Sequence, residues 1–251
     1  MPLYSSDALI LRTYKLGEAD RIVVFLTRDR GKKRGVAKGA RRLRSKFVGG
    51  LEPLTQVRVA YFEKERRELV SVNYSEPSCS PLSAVDPDAL GYSEYFAELL
   101  DEWAQEADPD ERLYRLGAAM VEALAAGVSA EPLARYFEYW LLRLQGVYPP
   151  HLNCQQCGAL LGGTGDESAV LTPGGRGFTC GRCAPRESGL HLSGDALSFL
   201  SRARSINPLR IGDLEAMPVV LREIESVHRA LIAAHLEKEL KSIRVLKSMR
   251  A

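Results

Sequence analysis

Apolar residues recur with a period of two over much of the first 76 positions, which is the pattern of half-buried β-strands. The alternation predicts five short strands, at residues 8–11, 21–27, 36–37, 56–62 and 69–74. Five strands in about 70 residues would leave unpaired edges, which closure of the sheet removes. We therefore predict a five-stranded barrel of the oligonucleotide-binding (OB) type. An SH3-like barrel stays open, because the number of strands does not separate the two.

From residue 86 onward the apolar spacing changes to that of amphipathic helices. Three helices are predicted to begin at Asp86, Asp108 and Ser129, and a fourth at Ser193. A long final helix is predicted for residues 219–249. Because each segment carries its apolar residues on one face, the pattern indicates a packed all-α body.

The net charge of +2 conceals an asymmetry along the chain. Residues 1–78 hold 17 Lys and Arg against 9 Asp and Glu, a net charge of +8, and the remainder carries −6. A basic front segment on an acidic body is typical of a polyanion-binding module attached to a protein-binding scaffold. The basic residues at 238–250 need no further explanation, since the dipole of a helix C-terminus favours cations.

The positive charge is concentrated in residues 28–46, where ten of nineteen residues are Lys or Arg. Three glycines at every fourth position disfavour a long helix, so we predict a turn, a short strand and a loop. The side chains predicted to contact nucleic-acid phosphates are Lys32, Lys33, Arg34, Lys38, Arg41, Arg42, Arg44 and Lys46. A solvated charge run or a localisation signal is the alternative. Phe47, Tyr61 and Phe62 are candidates either for stacking on bases or for the barrel core.

Four cysteines form two C-x-x-C pairs, Cys154 with Cys157 and Cys180 with Cys183, separated by 22 residues. Four thiolates complete the tetrahedral coordination of Zn²⁺ and leave no position for a substrate water. The segment between the pairs is rich in glycine and poor in large apolar residues, so it needs a metal to hold it. We predict one structural zinc ion. Disulfides, free thiols and an iron–sulfur cluster are the alternatives.

The other cysteine and the histidines indicate no further chemistry. His151 and His191 flank the insert and could replace a cysteine ligand, although surface or core positions explain them as well. Cys79 is interpreted as a small linker residue, and His228 and His235 share one face of a predicted helix. Neither a P-loop nor a G-x-S-x-G, H-E-x-x-H or dinucleotide-binding motif occurs, so nothing in the sequence argues for an enzyme.

Several motifs of the front third resemble those of one known family. They are G-E-A-D-R-I-V at residues 17–23, the turn at residues 27–35, G-V-A-K-G-A-R-R at residues 35–42 followed by S-K-F, and L-E-P-L at residues 51–54. With the four cysteines, they make the chain similar to the RecO family of bacterial DNA repair proteins over essentially its whole length. The front motifs are the specific part of this resemblance, and the helical region matches mainly by pattern.

The resemblance implies a recombination mediator without enzymatic turnover. Such a protein binds single- and double-stranded DNA, anneals strands coated by single-strand-binding protein (SSB), and acts with RecR, and often RecF, to load RecA. It also implies binding of the C-terminal tail of SSB and association with the nucleoid, while the lack of a secretory signal and of a membrane span predicts a cytoplasmic protein. That tail is acidic with an apolar end, so its binding requires an apolar groove with a basic rim. The basic C-terminal helix is the guessed location of this groove. The zinc module occurs in only part of the family, which agrees with a stabilising role.

Three domains are predicted: an OB-fold DNA-binding domain at residues 1–79, a helical domain at residues 80–150 plus 188–251, and a four-cysteine zinc-finger insert, similar to a zinc ribbon, at residues 151–187. The sequence shows neither a secretory signal nor the roughly 18 uncharged apolar residues of a membrane span, so we expect no membrane association. Two rival classes stay open, an RNA-binding or translation-associated protein and a zinc-dependent adaptor whose basic loop meets acidic proteins.

Overall fold

The computed structural model describes residues 2–64, 68–83, 86, 88–163, 167–171, 177–183 and 189–249, with the side chains of 247–249 left out. Contacts divide the chain into two compact units, one formed by Met1–Gly127 with Leu240–Ala251 and the other by Val128–Glu239. The three predicted domains, with their boundaries at 79, 150 and 187, stay a prediction.

The first unit contains a closed five-stranded barrel. Its strands are β1 (Leu3–Leu16), β2 (Asp20–Thr27), β3 (Gly31–Ala37), β4 (Gln56–Phe62) and β5 (Val70–Cys79), in the order β1-β2-β3-β5-β4 with β1 bonded to β4. All pairings are antiparallel except β3 with β5. Alternate apolar residues such as Ile10, Phe25 and Val59 fill the interior. The predicted OB-type barrel is confirmed.

Three strands extend well beyond their predicted limits, and β1, predicted for residues 8–11, runs from Leu3 to Leu16. β3 begins at Gly31 and not at Val36, because a tight turn with φ +66° at Gly31 returns the chain to pair along the whole of β2. A Cβ atom at Gly31 would also lie 2.5 Å from the backbone of Asp108. β5 continues to Cys79, where Pro77 pairs with Val57, so the interpretation of Cys79 as a linker residue is wrong.

In the described part of the chain, six α-helices follow the barrel: α1 (Ala89–Trp103), α2 (Glu111–Ala125), α3 (Ala130–Leu144), α4 (Gly194–Ala203), α5 (Pro218–Leu236) and α6 (Lys241–Met249). α1 and α2 begin three residues after the predicted Asp86 and Asp108, and the carboxylate of Asp110 accepts a hydrogen bond from the N–H of Leu113 at 3.0 Å as the N-cap of α2. α3 and α4 begin directly after the predicted caps Ser129 and Ser193. Pro87, which was also part of the predicted first N-terminus, lies outside the described residues.

The prediction of one long final helix is wrong. α5 ends at Leu236, Glu237 adopts the left-handed conformation with φ +52°, and α6 begins at Lys241. α6 belongs to the first unit, where it packs against α1. α3, α4 and α5 belong to the second unit, together with a small sheet of β6 (Ala169–Leu171), β7 (Phe178–Cys180) and β8 (Leu190–Leu192) in the order β7-β6-β8.

No helix in the described part of the chain has the length and apolar character needed to cross a lipid bilayer.

Candidate nucleic-acid surface and candidate metal centre

The basic loop, which we define as residues 38–50 between β3 and β4, is fixed to the barrel at both ends. The backbone N–H of Gly39 donates to Asp20 Oδ1 at 2.8 Å, and that of Arg41 donates to the carbonyl of Ala19 at 2.9 Å. Phe47 is buried in the barrel core, and Ser75 Oγ donates to the carbonyl of Gly50 at 2.6 Å. The loop is therefore part of the folded barrel, and the turn between β1 and β2 supports its first half.

Six of the eight predicted phosphate contacts lie exposed on β3 and this loop. They are Arg34, Lys38, Arg41, Arg42, Arg44 and Lys46. None of them forms an ion pair with a carboxylate among the residues that the structure describes. Arg41 Nη1 donates to the carbonyl of Gly17 at 2.9 Å, which directs this guanidinium along the β1–β2 turn. Exposed like charges within one short segment, without carboxylate partners among the described residues, create a positive potential that attracts polyanions.

The other two predicted contacts, Lys32 and Lys33, are engaged with carboxylates. Lys32 Nζ lies 3.2 Å from Asp101 Oδ1 and 2.6 Å from the carbonyl oxygen of Asp101, in the last turn of α1. Lys33 Nζ lies 2.9 Å from Glu63 Oε1. Both ammonium groups are largely covered, because their side chains are only 16% and 13% exposed. These two lysines stabilise the barrel and its attachment to α1.

The aromatic candidates for base stacking also divide into buried and partly exposed residues. Phe47 and Tyr61 are buried in the barrel core and present no ring face to a base. Burial raises the pKa of Tyr61 to about 12, with a further contribution from the charge of Glu63. Phe62 at the end of β4 is partly exposed. The core interpretation is therefore the correct one for Phe47 and Tyr61.

Sequence reasoning missed two features of this surface. Lys15 is exposed near the end of β1, next to the turn that carries the loop, and the basic stretch gave no signal for it. Leu43 is the second feature, an apolar side chain that lies fully exposed between arginines. The signal for it is an isolated leucine within R-R-L-R, which a pattern of charge does not include.

The four predicted cysteine ligands come together in the second unit. Their Sγ atoms all lie within 4.8 Å of one another, and those of Cys157 and Cys180 are 3.8 Å apart. A tetrahedral Zn²⁺ site with Zn–S distances near 2.3 Å has sulfur atoms about 3.8 Å apart, so the spacing fits. None of the four is joined in a disulfide, and the 3.8 Å between Cys157 and Cys180 Sγ is longer than the roughly 2.05 Å of an S–S bond. His151 and His191 are exposed and do not belong to this group.

The backbone around the cluster is shaped to receive sulfur. Gly158 adopts φ +74° and its N–H donates to the carbonyl of Cys154 at 2.9 Å, closing the first turn. Cys183 closes the second turn in the same way on Cys180, the last residue of β7. The N–H of Cys180 also donates to Cys154 Sγ at 3.4 Å, an interaction that favours a thiolate there.

The electrostatics of the donor set call for a cation. Burial opposes ionisation of Cys154, but hydrogen bonds from the backbone of Cys180, Cys157 and Gln156 lower its pKa to about 6. Hydrogen bonds with the thiols of Cys180 and Cys157 raise the pKa of Cys183 to about 12. Four sulfur atoms at this separation cannot all ionise without a positive charge between them. The residues present therefore fit a structural Zn²⁺ ion.

A buried polar cluster lies in the same unit, between α3 and α5. Arg135 Nη2 is 2.9 Å from Glu138 Oε1, and Arg135 Nη1 is 3.3 Å from Glu225 Oε2. His228 Nδ1 is 3.1 Å from Glu138 Oε2. Burial lowers the pKa of His228 and outweighs the opposing effect of Glu138.

The first unit contains a cavity of about 490 Å³ between β1, α1 and α6. Its lining combines apolar side chains with two cations, Arg12 and Lys241, and two carboxylates, Glu94 and Glu98. The carboxylates make it a poor match for the basic-rimmed groove that an acidic peptide requires.

The closed barrel, the helices and the four-cysteine cluster define a multidomain α+β protein with an OB-type front domain. Residues 1–80 match the protein family described as "Recombination protein O N terminal", and residues 84–244 match "Recombination protein O C terminal". A DNA repair protein RecO of Koribacter versatilis is 35% identical over 251 residues, covering 97% of this chain and 98% of the relative. The corresponding proteins of Nocardioides sp. and Pelotomaculum thermopropionicum are 32% and 31% identical, over 96% of this chain and 98% and 93% of the relatives.

The chain therefore belongs to the RecO family of DNA repair proteins. Membership supports a role in DNA repair and recombination.

Proposed function

We propose that the barrel binds the sugar–phosphate backbone of single- and double-stranded DNA without sequence preference. Six exposed cations without carboxylate partners among the described residues, held on β3 and an anchored loop, are the observation that supports the proposal most directly. Phosphate contacts of this kind position a strand but read no bases. The contacts are assigned to Arg34, Lys38, Arg41, Arg42, Arg44 and Lys46; Lys32 and Lys33 support the barrel instead.

Annealing of complementary strands follows physically from such a surface. Two DNA backbones repel each other, and a cationic surface that holds both lowers this repulsion while their bases stay free to pair. In this proposal the protein acts without catalytic turnover, and with RecR and RecF it loads RecA onto DNA coated with SSB. Binding of the SSB C-terminal tail completes the proposal, without an assigned groove.

The four cysteines are proposed to hold one structural Zn²⁺ ion. With all four coordination positions taken by thiolates, the ion has no position for a substrate and supplies only folding free energy to the small sheet around it. The ligands are Cys154, Cys157, Cys180 and Cys183.

Salt-dependent binding to an unstructured oligonucleotide tests the DNA contacts. If about five phosphates are neutralised, log K falls with log salt with a slope of roughly −3.5 for single strands. The variant Lys38→Glu/Arg41→Glu/Arg42→Glu is expected to bind at least about tenfold more weakly at moderate salt and with a shallower slope. It is also expected to anneal SSB-coated oligonucleotides more slowly than the unmodified protein.

The matched control reverses three exposed arginines outside the basic loop, Arg112 and Arg115 on α2 and Arg222 on α5, and so changes the net charge by the same amount. Equal loss of binding in both triple variants, or a slope near zero for the unmodified protein, would remove the assignment. Tighter binding to structured RNA than to single-stranded DNA would favour the RNA-binding alternative.

A further inference from the structure

Leu43, in the basic loop, is the most exposed large hydrophobic residue in the described part of the chain. Its relative exposure is 104%, so the folded protein covers none of it. Single exposed leucines are ordinary on protein surfaces and need no explanation by themselves. Here, however, Arg41, Arg42 and Arg44 surround the leucine in the sequence, and all three are exposed.

The loop holds Leu43 outward. The N–H of Arg42 donates to the carbonyl of Gly39 at 3.1 Å, and the N–H of Ser45 donates to the carbonyl of Arg42 at 3.0 Å. Leu43 therefore lies inside a hydrogen-bonded turn. Phe47, four residues later, enters the barrel core and Leu43 does not. Leu43 therefore protrudes from a hydrogen-bonded turn, and its side chain can enter a narrow gap in a partner.

Charge complementarity selects the partner. A protruding apolar side chain flanked in the sequence by three exposed arginines fits a polyanion that also offers apolar faces. Single-stranded nucleic acid has this combination, because its phosphates repeat along one edge and the faces of its bases are apolar. Apolar wedges between neighbouring bases are a known mode of protein insertion into DNA. An acidic peptide with an apolar end needs a hollow, and Leu43 offers the opposite shape.

We propose that Leu43 inserts between two adjacent bases of a bound single strand while the surrounding arginines hold its phosphates. This inference rests on the proposed DNA binding and adds a base-directed contact to it. Insertion separates neighbouring bases locally and leaves their pairing edges open, the state from which a complementary strand can pair.

The experiment compares the full chain with Leu43→Ala on two single strands of equal length, one with bases and one made of abasic sites. Both strands carry the same phosphates, so a contact to bases affects only the first. Leu43→Ala is expected to bind the strand with bases about fivefold more weakly, with an unchanged salt slope, and the abasic strand equally well. A 2-aminopurine in the strand should become brighter with the unmodified protein because it unstacks, and less so with Leu43→Ala.

Two controls make the result decisive. Leu160→Ala removes another highly exposed leucine, one that arginines do not flank, and should change neither readout. Leu43→Trp should restore binding and quench 2-aminopurine by stacking. If Leu43→Ala binds the strand with bases as tightly as the unmodified protein does, or loses the same affinity for both strands, the inference is overturned but the phosphate contacts stand. No salt-dependent binding by the unmodified protein overturns both. If Leu43→Ala weakened binding only to phosphatidylserine vesicles, Leu43 would be assigned to contact with a membrane surface, and the inference would also be overturned.

Discussion

Glu98 on α1 accepts hydrogen bonds from both the backbone N–H and the hydroxyl of Ser242 at the start of α6, at 2.8 and 2.6 Å. The N–H of Lys241 adds a third, at 3.1 Å. The carboxylate therefore satisfies the free N–H groups at the first turn of a helix that follows it by more than 140 positions. This contact attaches the end of the chain to the helix that packs on the barrel.

Replacing Glu98 with Gln should lower the free energy of unfolding by about 1 to 2 kcal/mol, because an amide N–H₂ would face a backbone N–H. Urea unfolding followed by circular dichroism measures the effect. Glu94→Gln on the same helix is the matched control, since Glu94 makes no such contact with α6 among the described residues. Equal losses in the two variants would contradict the capping role.

The same pair predicts a dependence on pH. Burial opposes ionisation of Glu98, but the hydrogen bonds from Ser242 and Lys241, with the charge of Arg12, lower its pKa below the ordinary 4.5. A folded-state pKa below the unfolded one gives stability that is present above pH 4.5 and is lost as the pH falls through the folded value. The difference in the free energy of unfolding between the unmodified protein and Glu98→Gln should therefore be largest at pH 7 and should decrease in acid. A difference that is constant with pH would count against the ionised cap.

Lys32→Met and Lys38→Met should have opposite consequences, although both remove one lysine from the basic stretch. Lys32 bonds to Asp101 at the end of α1, so its loss should lower the free energy of unfolding by about 1 kcal/mol and leave the salt slope for DNA unchanged. Lys38 is exposed and unpaired with any carboxylate among the described residues. Its loss should make the slope shallower by about 0.7 with little change in stability. Identical effects of the two variants would contradict this division of the basic residues.

The sequence predicted the barrel because its apolar residues alternate, and the limits of this reasoning are visible in β3. Lys32, Lys33 and Arg34 show no apolar alternation, yet they pair with Leu26, Phe25 and Val24 because the backbone hydrogen bonds of β2 require a partner. The pairing of Lys32 with Asp101, 69 positions away, leaves no local signal. Local patterns thus identified the charged residues, but they did not show which of these residues form ion pairs within the protein.

The helical region shows the same distinction. α3 and α4 were predicted with correct starts because their caps are encoded directly before them. The break between α5 and α6 was not predicted, since Glu237 is neither Gly nor Pro and the apolar spacing continues through it. Glu98 accepts hydrogen bonds from the N-terminus of α6, but it lies too far away in the sequence for a local pattern to predict this contact. The cysteine cluster was predicted because two C-x-x-C turns carry their geometry within four residues each.

Cys180→Ser should abolish metal binding, whereas Cys79→Ser should leave it intact. Cys180 belongs to the cluster and Cys79, in β5, does not. Elemental analysis is expected to find about one zinc per chain in the unmodified protein and in Cys79→Ser, and almost none in Cys180→Ser. The loss should also lower the thermal midpoint, since β7 carries both Cys180 and Phe178. A full zinc content in Cys180→Ser would contradict the assignment of four cysteine ligands.

Tyr148 and Tyr139 provide a test of the packing beside the metal centre. The ring of Tyr148 meets those of Tyr139, Phe178 and His228 edge to face, with centroids 5.4 to 5.5 Å apart. Its hydroxyl is buried, without a hydrogen-bond partner in the described part of the chain, and burial raises its pKa. The hydroxyl of Tyr139, in contrast, accepts a hydrogen bond from Arg143 Nη1 at 3.1 Å.

Removing each of these two hydroxyl groups should therefore change the free energy of unfolding in opposite directions. Tyr148→Phe keeps the ring contacts and deletes an unpaired polar atom, so the free energy of unfolding should rise by about 1 kcal/mol. Tyr139→Phe removes an existing hydrogen bond and should lower the free energy of unfolding by about the same amount. Tyr148→Ala, which removes the ring, should cost about 3 to 5 kcal/mol. Urea unfolding of the zinc-loaded chain measures all three, and equal destabilisation by both Tyr→Phe changes would show that an ordered water or another partner satisfies Tyr148.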